Sequence, residues 1–148
     1  MKNTVISTLK RWIVFLGLTT QGSMHDYELL KEDLHWYQGK NDWFEQLEIL
    51  IDLGYLGFDK DFEALKTNIP HKKPKKSKNN PEPYLTEQQK AENRAISQRR
   101  IFVEHAIGGL KHFNCLVHSY RNHKDHFDDL SIEICAGLHN LGVKFFSH

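Results

Sequence analysis

Cysteine is scarce in this chain, with two residues in 148, Cys115 and Cys135. That excludes a small secreted domain stapled by a disulfide framework and makes a reducing compartment the expectation. Proline is absent outside one stretch, since all four prolines fall within residues 68–83. No apolar run approaches the roughly 20 residues that span a bilayer. The longest imitation is WIVFLGL, which follows Lys10 and Arg11 as the core of a secretory signal would, but the TTQG after it offers no small-residue cleavage pattern. It reads as a buried strand. Charge of one sign is also lacking: the formal net charge is +1, so any attraction to nucleic acid must come from a local patch.

What is present suits a soluble globular domain of one ordinary size, with 39% hydrophobic and 26% charged residues. NTVIST and WIVFLGL, separated by LKR, predict a hairpin with strands near 3–8 and 12–18. Ser23 or Asp26 caps a helix predicted over 26–37, with Tyr27, Leu30, Leu34 and Tyr37 on its apolar face. LEILIDLGYLG reads as a strand over 47–51 that ends at Asp52. The prolines and the lysines at 72, 73, 75, 76 and 78 then mark an exposed internal loop over 68–83. Thr86 and Gln89 make a capping box, which opens a helix predicted to run to about Lys111, its last turn weakened by Gly108 and Gly109. A final helix is predicted over 126–141 from the spacing of Phe127, Leu130, Ile134, Leu138 and Leu141. No internal repeat is visible.

The chemistry concentrates on the long helix. At about 100° per residue, Arg100, Glu104 and Lys111 fall within about 40° of one another. An acid flanked on its own face by two cations suits a carboxylate that holds a metal while the cations hold phosphates. The same pattern, taken alone, is also that of surface ion pairs.

Five blocks in order, GSMHDYELL, ILIDLGYLG, IPHKKPKK, LTEQQKAENRAISQRRIFVEHAIGGLKHFNCL and AGLHNLGV, resemble the C-terminal half of a DDE-type transposase catalytic domain, of the insertion-sequence and Harbinger-like group. The resemblance implies an α/β fold of the RNase H-like type, a mixed sheet flanked by helices that presents three carboxylates to Mg²⁺ or Mn²⁺. It matches Asp52 to the second acid and Glu104 to the third, both as catalytic and metal-binding residues, with Ile101, Phe102, Val103 and Ile107 packed around Glu104. Arg100 and Lys111 match cations that related transposases carry on this helix, while Ser97 stands where they carry tyrosine. With Lys72, Lys73, Lys75 and Lys76 these are the expected DNA contacts. Two hard cations about 3.5–4 Å apart would activate the attacking oxygen, first of water and then of a DNA 3′-hydroxyl, and stabilise the leaving one.

The first acid has no counterpart here. Before Asp52 stand Asp26, Glu28, Glu32, Asp33, Asp42, Glu45 and Glu48, none of them on a matching strand. The resemblance therefore implies a truncated domain without its first strand and first catalytic Asp, inactive alone. Its expected partners are transposon-end DNA and a second copy of the chain, with no membrane, in a bacterial cytoplasm or a eukaryotic nucleus. The alternative is a remnant that binds DNA or protein without catalysis. A zinc site from Cys115-x-x-His118 and Cys135-x-x-x-His139 is the other reading of the ligand-like residues, set against the ordinary explanation of two small buried thiols.

Overall fold

A computed structural model describes residues 2–20, 22–35, 43–78, 80–117 and 124–146. Its elements run β1 (Val5–Ser7), β2 (Ile13–Leu16), α1 (Asp26–His35), β3 (Glu48–Leu50), α2 (Phe58–Asp61), β4 (Lys66–Asn68), α3 (Glu87–Lys111) and α4 (Phe127–Phe146). One-turn 3₁₀ segments follow β3 at Leu53–Tyr55 and α3 at Asn114–Leu116. Mixed α/β content is as expected, but the described strands form two separate two-stranded sheets, β1–β2 antiparallel and β3–β4 parallel. The chain divides into two compact units: residues 1–35 with 101–148, and residues 36–100.

In the first unit, the strands are shorter than the apolar runs that announce them. Val5 pairs with Leu16, Ile6 with Phe15 and Ser7 with Ile13, with a bulge between Ile6 and Ser7. The turn is closed by the Arg11 N–H on the Thr8 carbonyl at 2.9 Å, with Arg11 in the left-handed region at φ 66°. Three-residue hairpin loops end in that conformation, usually with glycine. Arg11 is held there in part because its carbonyl meets His139 Nε2 at 2.9 Å. The outer edge of β2 is closed by α4. Asn140 accepts from the Ile13 N–H and donates to the Ile13 carbonyl, both at 2.8 Å, so one amide stands in for a neighbouring strand. Asp129 Oδ1 accepts from the Thr19 N–H at 2.6 Å.

The core of this unit is Ile13, Ala106, Leu110, Cys135 and Ala136, with Val5, Leu16, Phe113 and Leu116 packed against it. Ala106 is fully buried and Leu110 nearly so. They lie about 200–240° around the helix from Glu104, which is exposed. The sequence places Ile101 and Phe102 in packing around Glu104, and the structure corrects this: both are more than 40% exposed, because the buried stripe of α3 is the one through Ala106 and Leu110. Gly108 and Gly109 do not end the helix. Gly109 instead lets the His139 ring lie where a Cβ would be, whereas a Cβ on Gly108 would meet open space.

The second unit is built on three phenylalanines. Phe44, Phe58 and Phe62 have ring centroids 5.0–5.8 Å apart, and Phe58 is 1% exposed. Gly57, at φ 106°, allows the sharp entry into α2 that a side chain would resist. The sequence does not announce α2 and β4, because four and three residues are too few to show a period. The 3₁₀ turn and α2 lie in the crossover that the parallel pair β3–β4 needs. α3 begins as the capping box requires: the Gln89 N–H donates to Thr86 Oγ1 at 3.2 Å and Gln89 Oε1 accepts from the Thr86 N–H at 3.0 Å. Helix α1 is described over Asp26–His35, and residues 36 and 37 of the expected helix lie outside the described ones. Among the described residues no helix is long and apolar enough to cross a membrane.

Candidate functional site

Asp52 stands two residues past the end of β3, where it caps the 3₁₀ turn: its Oδ1 accepts from the Leu53 N–H at 2.7 Å. Parallel pairing with β4 fixes that end, since the Ile51 N–H continues the ladder to the Asn68 carbonyl at 3.1 Å. The Asp52 side chain is half exposed and is gripped by Arg100 of α3. Nη1 lies 3.1 Å from Oδ1 and Nη2 2.9 Å from Oδ2, a two-pronged pair that occupies both carboxylate oxygens.

The neighbouring arginine makes a second tie. Arg99 Nη1 donates to Glu48 Oε1 at 2.8 Å, and Asn68 Nδ2 donates to the same oxygen at 2.9 Å, with Lys66 Nζ 3.7 Å away. These groups, led by the Arg99 hydrogen bond, hold the Glu48 carboxyl at about 2, against an ordinary 4.5. Thus two adjacent arginines on α3 engage two acids four residues apart around the tip of β3. Sequence reasoning picked out Arg100 and Asp52 and missed the Arg99–Glu48 pair. Its only trace in the sequence is the match of an RR doublet to an E-x-x-x-D spacing.

Glu104 follows Arg100 by one helical turn, on the exposed face of α3 with Ser97 and Lys111. The expected alignment of Arg100, Glu104 and Lys111 on one face is thus observed. Asp52 and Arg100 belong to the second unit, Glu104 and Lys111 to the first.

The lysine segment starts from a fixed point. Asn93 of α3 accepts from the His71 N–H at 2.7 Å and donates to the His71 carbonyl at 3.0 Å, while the His71 ring meets Glu92. From there Lys72, Lys73, Lys75, Lys76 and Lys78 are all exposed, with an isolated Ser77–Asn80 bridge as the only β-pairing among the described residues of the segment.

The ligand-like cysteines part ways. Cys135 is a buried core thiol, as the sequence suggests, but Cys115 is exposed. Their Sγ atoms lie 3.6 Å apart. His139 is turned to the Arg11 carbonyl, and His118 lies outside the described residues. Among the described residues, no group of three His, Cys, Asp or Glu side chains is arranged to hold a metal ion.

The chain matches the profile of the family described as DDE superfamily endonuclease over residues 1–140. It is 34% identical over 141 residues to a probable transposase for insertion sequence element IS702 of Microchaete diplosiphon, a match that covers 90% of this chain and 46% of that protein. The chain therefore spans about half the length of that relative. No solved structure matches.

Proposed function

The chain belongs to the DDE superfamily endonucleases, and from that premise we propose that it is part of a transposase catalytic domain for cleavage and strand transfer at transposon-end DNA, to which it contributes Asp52 and Glu104. The observation that carries this reading is the Arg100–Asp52 fork. It holds the acid at the tip of β3 against α3 within the second unit. Family membership supplies the context, and the hard oxygen donors of Asp52 and Glu104 suit Mg²⁺ or Mn²⁺.

The residues present fit such a metal only in part. Both oxygens of Asp52 are taken by Arg100, and the described residues offer no cluster of three ligands. What the chain itself does is hold Asp52 neutralised and oriented by Arg100. A divalent ion at Asp52 would compete with that guanidinium, and release of Arg100 would free a two-pronged donor for a DNA phosphate.

Mn²⁺ titration tests this directly. Weak, saturable binding is expected, lost in Asp52→Asn and reduced in Glu104→Gln. Arg100→Ala should strengthen it by about 1.5- to 5-fold, the equivalent of the roughly 0.2–1 kcal/mol of an exposed ion pair. Binding indifferent to all three substitutions would end the assignment. Incubated alone with the element's terminal DNA and Mn²⁺, the chain is expected to leave the strands uncut. Cleavage that disappears in Glu104→Ala would show instead that the site is complete.

A second reading, DNA or protein binding without catalysis, is favoured by one feature: five exposed lysines on a segment anchored at His71 by Asn93. Binding through that patch would weaken steeply with salt. Neutralising Lys72, Lys73, Lys75 and Lys76 together would flatten the salt slope by about 0.9 for each DNA phosphate that these lysines had neutralised.

A further inference from the structure

The two cysteines are the only ones in the chain, and the fold brings them together from opposite sides of a chain interval of 19 residues. Cys115 sits in the 3₁₀ turn Asn114–Leu116, whose neighbours Phe113 and Leu116 pack on the core of the first unit. Cys135 belongs to that core, 4% exposed beside Ala136 in the middle of α4. The Sγ–Sγ separation is 3.6 Å. Two thiols at van der Waals contact need a shift of about 1.5 Å to reach the 2.03–2.05 Å of a bond. Sterics of the fold therefore leave the bond within side-chain reach. The two thiols also differ in the way that a sequential oxidation requires: one faces solvent and the other does not.

We propose that Cys115 and Cys135 form a redox-responsive pair, in which an oxidised low-molecular-weight disulfide of the glutathione class converts the two thiols into an intramolecular disulfide that ties the turn after α3 to α4. The exposed Cys115 thiolate attacks one sulfur of the small disulfide, forming a mixed disulfide and releasing one small thiolate. Cys135, after losing its proton, attacks Cys115 Sγ and expels the second small thiolate. The balance is two protein thiols and one small disulfide in, one protein disulfide and two small thiols out. Burial, and then the adjacent Cys115, push the Cys135 thiol up to about 11, so the exposed Cys115 is the one that supplies the first attacking thiolate. A buried thiol is ordinarily inert, and contact with a solvent-facing partner is what gives this one a route to oxidation. In a reducing compartment the pair stays open. Under oxidising stress it closes a ring around residues 116–134, and the first unit becomes harder to unfold.

The test uses the full chain, purified in reductant, freed of it, and exposed to oxidised glutathione. Trypsin digestion without reductant should give residues 112–121 and 125–144 as one disulfide-linked species, each peptide carrying one of the two cysteines. Free-thiol titration should fall from two to none and recover with a dithiol reductant. The oxidised monomer should also unfold at higher urea than the reduced one. Cys135→Ala should stop at a mixed disulfide on Cys115, and Cys115→Ser should leave Cys135 largely unmodified, which separates the order of attack from a simple loss of folding. If the unaltered chain stops at the mixed disulfide, as Cys135→Ala does, or links only to other chains, the proposal is overturned.

Discussion

Replacing Asn140 by alanine should cost far more than a half-buried amide usually does. Its side chain serves both backbone groups of Ile13 at the outer edge of β2, with each bond at 2.8 Å. Ile13 itself is 6% exposed and sits in the core with Ala106, Leu110, Cys135 and Ala136. Alanine removes the partner of one donor and one acceptor, and each such loss costs about 1–3 kcal/mol when water cannot replace it. Asn140 is only half-buried, so some water reaches the edge and the sum falls to about 2–4 kcal/mol. Against a typical total of about 5–15 kcal/mol, that would move a urea midpoint visibly and leave the slope unchanged. Asn140→Asp sharpens the test. The carboxylate still accepts from the Ile13 N–H but faces the Ile13 carbonyl with a second acceptor, so this variant should be destabilised at neutral pH and partly rescued in acid, when a protonated oxygen donates again. The Ile13 amide should exchange faster in both variants. A change below about 0.5 kcal/mol in Asn140→Ala, within the range of ordinary surface substitutions, with unaltered exchange at Ile13, would refute the claim that this amide closes the sheet edge.

Other outcomes follow from the same geometry. Glu48 has a folded-state value depressed to about 2 from 4.5, so its contribution is full above about pH 4.5 and is lost as pH falls through the folded value; Glu48→Gln should flatten acid unfolding of the β3–β4 unit between those limits. Gly109→Ala should destabilise by about 1–3 kcal/mol, because its Cβ would fall on the His139 ring and force it from the Arg11 carbonyl. Gly108→Ala, which meets open space, should instead stabilise α3 by about 0.5–1 kcal/mol in thermal denaturation. Thr86→Ala removes the capping bond to the Gln89 N–H and should cost about 1 kcal/mol, read by helical circular dichroism during melting.

The sequence by itself determined what local chemistry and ordered motifs can determine. The Thr86–Gln89 box marked the start of α3, and its charged length carried the helix to Lys111 as expected. Five blocks in order named the family, because a motif series survives where no single residue is specific. The 100° rotation per residue put Arg100, Glu104 and Lys111 on one face without reference to any packing partner. Tertiary structure alone decided the pairings. That Arg100 grips Asp52 while Arg99 takes Glu48 depends on how α3 lies against the tip of β3, and neighbouring arginines are indistinguishable until a partner selects between them. The packing of α3 likewise buried Ala106 and Leu110 and left Ile101 and Phe102 exposed, because the stripe through Ala106 and Leu110 is the one that joins Ile13, Cys135 and Ala136 in the core. α2 and β4 are too short to carry a period, and exist because Phe58 and Phe62 find Phe44 and the Lys66–Asn68 backbone finds Glu48–Leu50. Cys115 and Cys135, 20 positions apart, became neighbours through the same cause: burial energy acts on area removed from water and is blind to distance along the chain.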